Sequence, residues 1–242
     1  GNGNGVFVDP NIESQPKSQP NDIYGTFSMI QTADNVARQF GVSREAQDEF
    51  ALASQTKAIA AIDSGRFKDE IVPVIIPQRK KEPTIFDTDE FPKRGTNMEK
   101  LSKLKTIFPE GFVTAGNASG RNDGAAAVLV ASKEKVEELG LKPMARIIAG
   151  CAAGVDPRIM GMGPVAATRK LMKMIEPQNL KLDDFGLVEL NEAFAAQSVA
   201  CVNELGLNPE TVNVNGGAIA LGHPLGCSGA RISTTLLYEM QK

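Results

Sequence analysis

The sequence predicts a layered α/β fold, and three observations carry that prediction. Short apolar runs alternate with helix-forming segments through the second half of the chain. Glycines and serines punctuate those segments where helices should stop and start. Aromatics are only 5% of residues and Trp is absent, so small side chains must let helices and strands pack closely.

In chain order, Gly1–Gly5 has linker composition, and Asp9–Asp22 is rich in Pro, Ser, Asn and Gln. The start therefore reads as a loop or a cut edge. Thr32–Phe40 is expected to be helical and to end at Gly41. Ser43 should cap a long helix, Arg44–Ser64, closed by Gly65. Leu52, Ala53, Ile59 and Ala60 are its expected apolar face, with Thr56 between them. Ile71–Ile76 reads as a short strand, placed at an edge by Pro73. Pro77–Thr96 is polar and irregular, as a long functional loop would be.

Beyond Gly116 the alternation becomes regular. Ala125–Ala131 reads as an apolar strand or a helix–strand junction, and Ala145–Cys151, Gly186–Leu190 and Val212–Val214 are expected strands. Expected helices are Lys133–Leu139, Gly163–Met174, Phe194–Leu205 and Ser228–Met240. The chain divides into a loop-rich region, 1–119, and a regular α/β domain, 120–242.

A net charge of −3 and a pI near 5.4 give no basic field for nucleic acid. The cluster Gln78-Arg79-Lys80-Lys81 reads as a solvated loop. No run is long and apolar enough for a membrane-spanning helix, and no signal-peptide pattern opens the sequence. Cys151, Cys201 and Cys227 lack metal-binding spacing and form no disulfide framework, which points to a reducing, cytoplasmic compartment.

Three segments look chemical. Asn213–Arg231 packs glycines around the single histidine, His223, between a strand and a helix. Glycines allow close backbone approach, and a His on a rigid turn suits acid–base work or donation to developing negative charge. Val188–Gln197 leaves a buried strand and opens a helix, where open α/β sheets build their sites. Asn191 there could hold a water or substrate oxygen, or cap the helix. Thr114–Gly124 is a small-residue turn dense in hydrogen-bond donors.

Together these segments resemble the thiolase family from about Met29 onward. The resemblance rests on Asn191-Glu192-Ala193-Phe194, Gly222-His223-Pro224, Ser228-Gly229-Ala230-Arg231 and Met160-Gly161-Met162-Gly163-Pro164. It implies a thiolase-like α/β/α domain, lacking its last strands, beside a loop-rich α/β subdomain. It also implies an acyl-CoA C-acyltransferase that condenses acetyl-CoA or cleaves 3-ketoacyl-CoA with CoA through a cysteine thioester. By resemblance, His223 assists the nucleophilic cysteine and donates to the thioester oxygen, and Asn191 holds the water that completes the oxyanion hole. Ser119 and Ala118 resemble the turn that contacts the pantetheine arm, and Gly222 is a further substrate- and CoA-binding position. Met29 matches a substrate-loop methionine, and Phe108 and Phe194 resemble apolar walls of the acyl and pantetheine tunnel. Lys93 and Arg94 are weaker candidates for the adenine and phosphate end. Coenzyme A is substrate and product, with no further cofactor and no metal. A homodimer or homotetramer is expected, with Asp9–Met29 and Pro77–Thr96 taking part.

The resemblance also has gaps. The family's nucleophilic cysteine should lie upstream of the segments present, and the second, in a Cys-x-Gly turn, should follow Met240. Cys227 lies four residues from His223 but reads as a small packing residue, and Ser28 stands where many short-chain biosynthetic members carry His. The chain as given is therefore expected to be inactive, as a fragment of an enzyme. The competing reading is a non-catalytic acyl-CoA-binding or assembly protein on the same scaffold.

Overall fold

A computed structural model describes residues 20–242. The expected linker at Gly1–Gly5 and most of the Asp9–Asp22 tract lie outside the described residues. After a single turn, α1 (Asn21–Tyr24), come α2 (Met29–Phe40) and α3 (Arg44–Asp63). Next are β1 (Val74–Ile76), β2 (Thr84–Phe86), α4 (Met98–Ser102) and α5 (Lys133–Glu138). The chain closes with α6 (Gly163–Met174), α7 (Ala195–Leu205), α8 (Ala218–Leu221) and α9 (Ser228–Glu239).

Helix α2 starts three residues before the predicted Thr32, because Ser28 makes a capping box. Its Oγ accepts from Gln31 N at 3.3 Å, and its N–H donates to Gln31 Oε1 at 2.7 Å. Gly41, at φ 66°, ends the helix as predicted. Helix α3 has the predicted Ser43 cap, with Ser43 Oγ accepting from Ala46 N. Its buried face is not the predicted one. Ala51, Ser54, Gln55, Ala58 and Ala61 are buried, whereas Ala53 and Ala60 are exposed and Leu52 and Ile59 only half-buried. Polar Ser54 and Gln55 can turn inward because each finds partners there.

The main core joins α2, α7 and the 3₁₀ segment Pro157–Met162. Val36, Ala37, Val113, Met162, Val165, Ala196, Ala200 and Cys201 meet in it, most of them small. A second cluster, Ala51, Ala195 and Ile219, seats α7 and α8 against α3.

The strands differ from expectation. Pro77–Thr96 is not wholly irregular, since β2 pairs antiparallel with β1, Ile75 opposite Ile85. Both strands are exposed. Ala125–Ala131 and Ala145–Cys151 form no regular element; a strand needs a partner, and none is within bonding reach among the described residues. Gly186–Leu190 and Val212–Val214 meet through one parallel bridge, Val188–Val212. Among the described residues no helix is long and apolar enough to cross a membrane.

Candidate active site

The single parallel bridge lies at the root of the site. Val188 N donates to Thr211 O at 3.0 Å, and Asn213 N donates to Val188 O at 2.9 Å. Asn213 then leaves the strand at φ 47°, a conformation Asn tolerates. Its side chain continues the pairing in place of backbone: Oδ1 accepts from Leu190 N and Nδ2 donates to Leu190 O, both at 2.8 Å. This clasp fixes the path of the chain just before Asn191.

The neighbouring Glu192 is fully buried and braces the glycine segment. Its carboxylate accepts from Ser54 Oγ (2.6 Å), Asn213 Nδ2 (2.9 Å) and Ile219 N (3.1 Å). Burial raises the pKa of the carboxyl, and the first two of these hydrogen bonds oppose that shift most strongly. Ser54 Oγ also accepts from Gly217 N, and Gln55 Nε2 donates to Ile219 O. A side chain at Gly217 would collide with the Glu192 carboxylate. At Gly216, φ 77°, a Cβ would sit 2.6 Å from Ser54 O. The polar face of α3 is thus the bed on which the glycine segment lies.

The Thr114–Gly124 turn reaches the same place from another direction. Ala118 bridges Phe194, and Ser119 donates to Ala193 O from its N–H (3.1 Å) and its Oγ (2.9 Å). Asn117 O accepts from Ala195 N at 2.9 Å. Further along the turn, Asn122 Oδ1 accepts from His223 N at 3.2 Å. Phe91 packs on Gly120, leaving no room for a side chain there.

His223 is half-buried where these segments converge. Its Nδ1 is 2.6 Å from Ser228 Oγ and its Nε2 is 3.4 Å from Asn191 Nδ2. Burial, and then the Arg231 guanidinium, hold the imidazole below its ordinary pKa of 6.5, which favours the neutral ring. Asn191 Oδ1 is buried and accepts no hydrogen bond from the protein. The pair offers a neutral base beside an amide with a free acceptor.

Two residues before Asn191 stands Glu189, with side-chain exposure of 5% and an oxygen 3.9 Å from Arg231 Nη1. Burial pushes its pKa from 4.5 up to about 7; Arg231 opposes this, whereas Glu192 and Glu70 add to it. An acid whose pKa is raised by folding stabilises the fold fully below its unfolded value, and loses that contribution as pH rises through its folded value. Glu189 should therefore cost stability between pH 4.5 and about 7. Titrating thermal unfolding of wild type against Glu189→Gln should show a difference growing across that window, on the order of 3 kcal/mol. Parallel curves would contradict the assignment.

The structure brings His223, Asn191, Ser119, Ala118, Phe194 and Gly222 together. Phe194 is half-buried against the main core, and Gly222, at φ 98°, lies against Asn122. Asn191 does not cap α7, which begins at Ala195; instead its backbone oxygen accepts from Gln197 Nε2. Met29 stands in the first turn of α2 and Phe108 precedes the turn at Gly111; neither is among the hydrogen-bonded residues that assemble the site. Lys93 Nζ lies 4.8 Å from the centre of the Phe91 ring, and Arg94 pairs with Asp63 on the surface. Ser54, Asn213, Asn122 and Ser228 were not singled out by sequence reasoning. A buried polar stripe on α3 was the available signal for Ser54; the other three lay within segments already marked.

Cys201 is in the main core, where burial pushes its thiol up to about 11. Cys151 donates to Ala152 O, and Cys227 is buried at the start of α9. Among the described residues no group of three or more His, Cys, Asp or Glu could hold a metal.

Two family models match: "Thiolase, N-terminal domain" over residues 14–134 and "Thiolase, C-terminal domain" over residues 141–242. An acetyl-CoA acetyltransferase of Thiocystis violacea is 57% identical over 222 residues, 91% of this chain and 56% of the relative. A beta-ketoadipyl-CoA thiolase of Acinetobacter baylyi is 54% identical over 239 residues, 98% of this chain and 57% of the relative. The crystal structure of the Bacillus anthracis acetyl-CoA acetyltransferase superposes with a TM-score of 0.84 at 49% identity, covering 89% of this chain and 54% of that one. Human mitochondrial 3-ketoacyl-CoA thiolase gives 0.84 at 45% identity, with the same coverages. The chain spans just over half the length of these relatives, and its α/β fold is theirs.

Proposed function

The chain belongs to the thiolase family, and from that premise we propose that the whole protein is an acyl-CoA C-acyltransferase. It would condense acetyl-CoA or cleave a 3-ketoacyl-CoA with CoA. The observation that carries this reading is the His223 ring held between Ser228 and Asn191. In this reaction a cysteine thiol gives its proton to His223 Nε2, and the thiolate attacks the thioester carbonyl carbon. Negative charge develops on the carbonyl oxygen, which accepts from the new Nε2–H and from a water held by Asn191. The bond from carbon to the CoA sulfur then breaks, and that sulfur takes the proton back from the imidazolium. Ser119, Ala118, Gly222, Met29, Phe108 and Phe194 would contact pantetheine and the acyl chain.

None of Cys151, Cys201 and Cys227 fits the nucleophile, so the 242-residue polypeptide alone should not turn over. Isotope-labelled acetyl-CoA and peptide mapping test this. A full-length protein should carry the acyl group on a cysteine other than these three. CoA binding without any acyl-cysteine would instead support a non-catalytic acyl-CoA-binding or assembly protein. Cys227→Ala should leave full-length acyl transfer within about twofold, as expected for a small buried side chain outside the chemistry; a dead variant would move the nucleophile to Cys227. A cytoplasmic homodimer or homotetramer is proposed as well, supported by the exposed apolar hairpin of Ile75, Ile85 and Phe86.

A further inference from the structure

We infer that Ser228 sets the tautomer of His223, keeping the hydrogen on Nδ1 and leaving Nε2 bare. The catalytic meaning of this positioning role rests on the function proposed above; the tautomer itself does not.

Ser228 opens α9, and its buried hydroxyl has two partners within reach, Pro224 O at 3.1 Å and His223 Nδ1 at 2.6 Å. A hydroxyl has one hydrogen and can accept on its lone pairs. Donation to the carbonyl four residues back is a common habit of serine in a helix. Pro224 O can only accept, so a hydrogen directed there leaves a lone pair facing Nδ1. The short 2.6 Å contact then requires Nδ1–H as donor.

The other side of the ring is compatible with the same tautomer. Asn191 Nδ2, a donor, faces Nε2 at 3.4 Å. With hydrogen on Nε2, two donors would point at each other. Turning the amide over would remove that conflict, but would exchange one unpartnered oxygen for an unpartnered NH₂ in a buried site. Ser228, His223 and Asn191 therefore form one relay in which every hydrogen points the same way along the chain, ending at Pro224 O. Nε2, rather than Nδ1, is then the ring nitrogen that can take a proton.

The single histidine makes the test direct. Nitrogen-15 NMR of the histidine-labelled 242-residue chain, above the titration range of the ring, should show Nδ1 in the protonated range and Nε2 in the unprotonated range. Ser228→Ala removes the acceptor at Nδ1, so hydrogen should move toward Nε2, which free imidazole prefers. Ser228→Thr keeps the hydroxyl and should restore the wild-type pattern. Protonated Nε2 in wild type would overturn the inference, as would unchanged ring shifts in folded Ser228→Ala. If Ser228→Ala does not fold, wild type and Ser228→Thr decide between the tautomers. A normal tautomer beside an unimpaired His223→Ala enzyme would sink the proposed function and leave this inference standing.

Discussion

Alanine at position 223 should lower acyl transfer by the full-length protein about 100- to 1,000-fold, while CoA affinity stays within a few-fold. In the proposed mechanism the ring takes a proton at Nε2, donates a hydrogen bond from it to the charged oxygen, and then gives that proton to the CoA sulfur. On that reading CoA would be held largely elsewhere, through its long pantetheine arm. The loss should therefore fall on kcat rather than on Kd, because the contact strengthens only as charge develops. Steady-state kinetics with parallel calorimetric titration of CoA would check the split. Equal losses in both would make His223 a binding residue and contradict the mechanism.

The second large effect concerns stability. Glu192→Ala should destabilise the fold by about 4 kcal/mol, since it strands Ser54 Oγ, Asn213 Nδ2 and Ile219 N in a dry interior. For a domain of this size that is a fall in melting temperature on the order of 10 °C. Glu192→Gln should fall between the two, because it keeps the volume but turns an acceptor into a donor facing donors. Calorimetry on the three proteins gives the ranking. A Glu192→Ala variant melting with wild type would show that the glycine segment is braced by something other than this carboxylate.

The sequence made helices more legible than strands for a physical reason. A helix satisfies its backbone within one segment, so Ser43 and Gly41 announce ends that the structure keeps. A strand is defined by a partner, and Ala125–Ala131 has the right composition without one in reach. The apolar face of α3 misled because Leu52 and Ile59 are spaced as a core stripe would be, yet the burial went to Ser54 and Gln55. Hydrophobic periodicity cannot register a helix face buried by hydrogen bonding. His223, Asn191 and the Ser119 turn were legible as parts of a shared site. The relation of His223 to Ser228 was not, because adjacency along a glycine-rich turn does not reveal which ring nitrogen meets which oxygen.

The bed on α3 has a consequence in time as well as in space. Ser54 bonds to Glu192 and to Gly217, partners 138 and 163 residues further along the chain. Closures of that span carry a high entropic cost and slow a folding reaction. They are also unavailable to a nascent chain until residue 217 has left the ribosome. The helix that supports the site is therefore made well before its partners, and it must hold its inward-facing polar groups in water until the glycine turn arrives. The pocket around His223 therefore forms late relative to α3, only once the glycine segment has joined it.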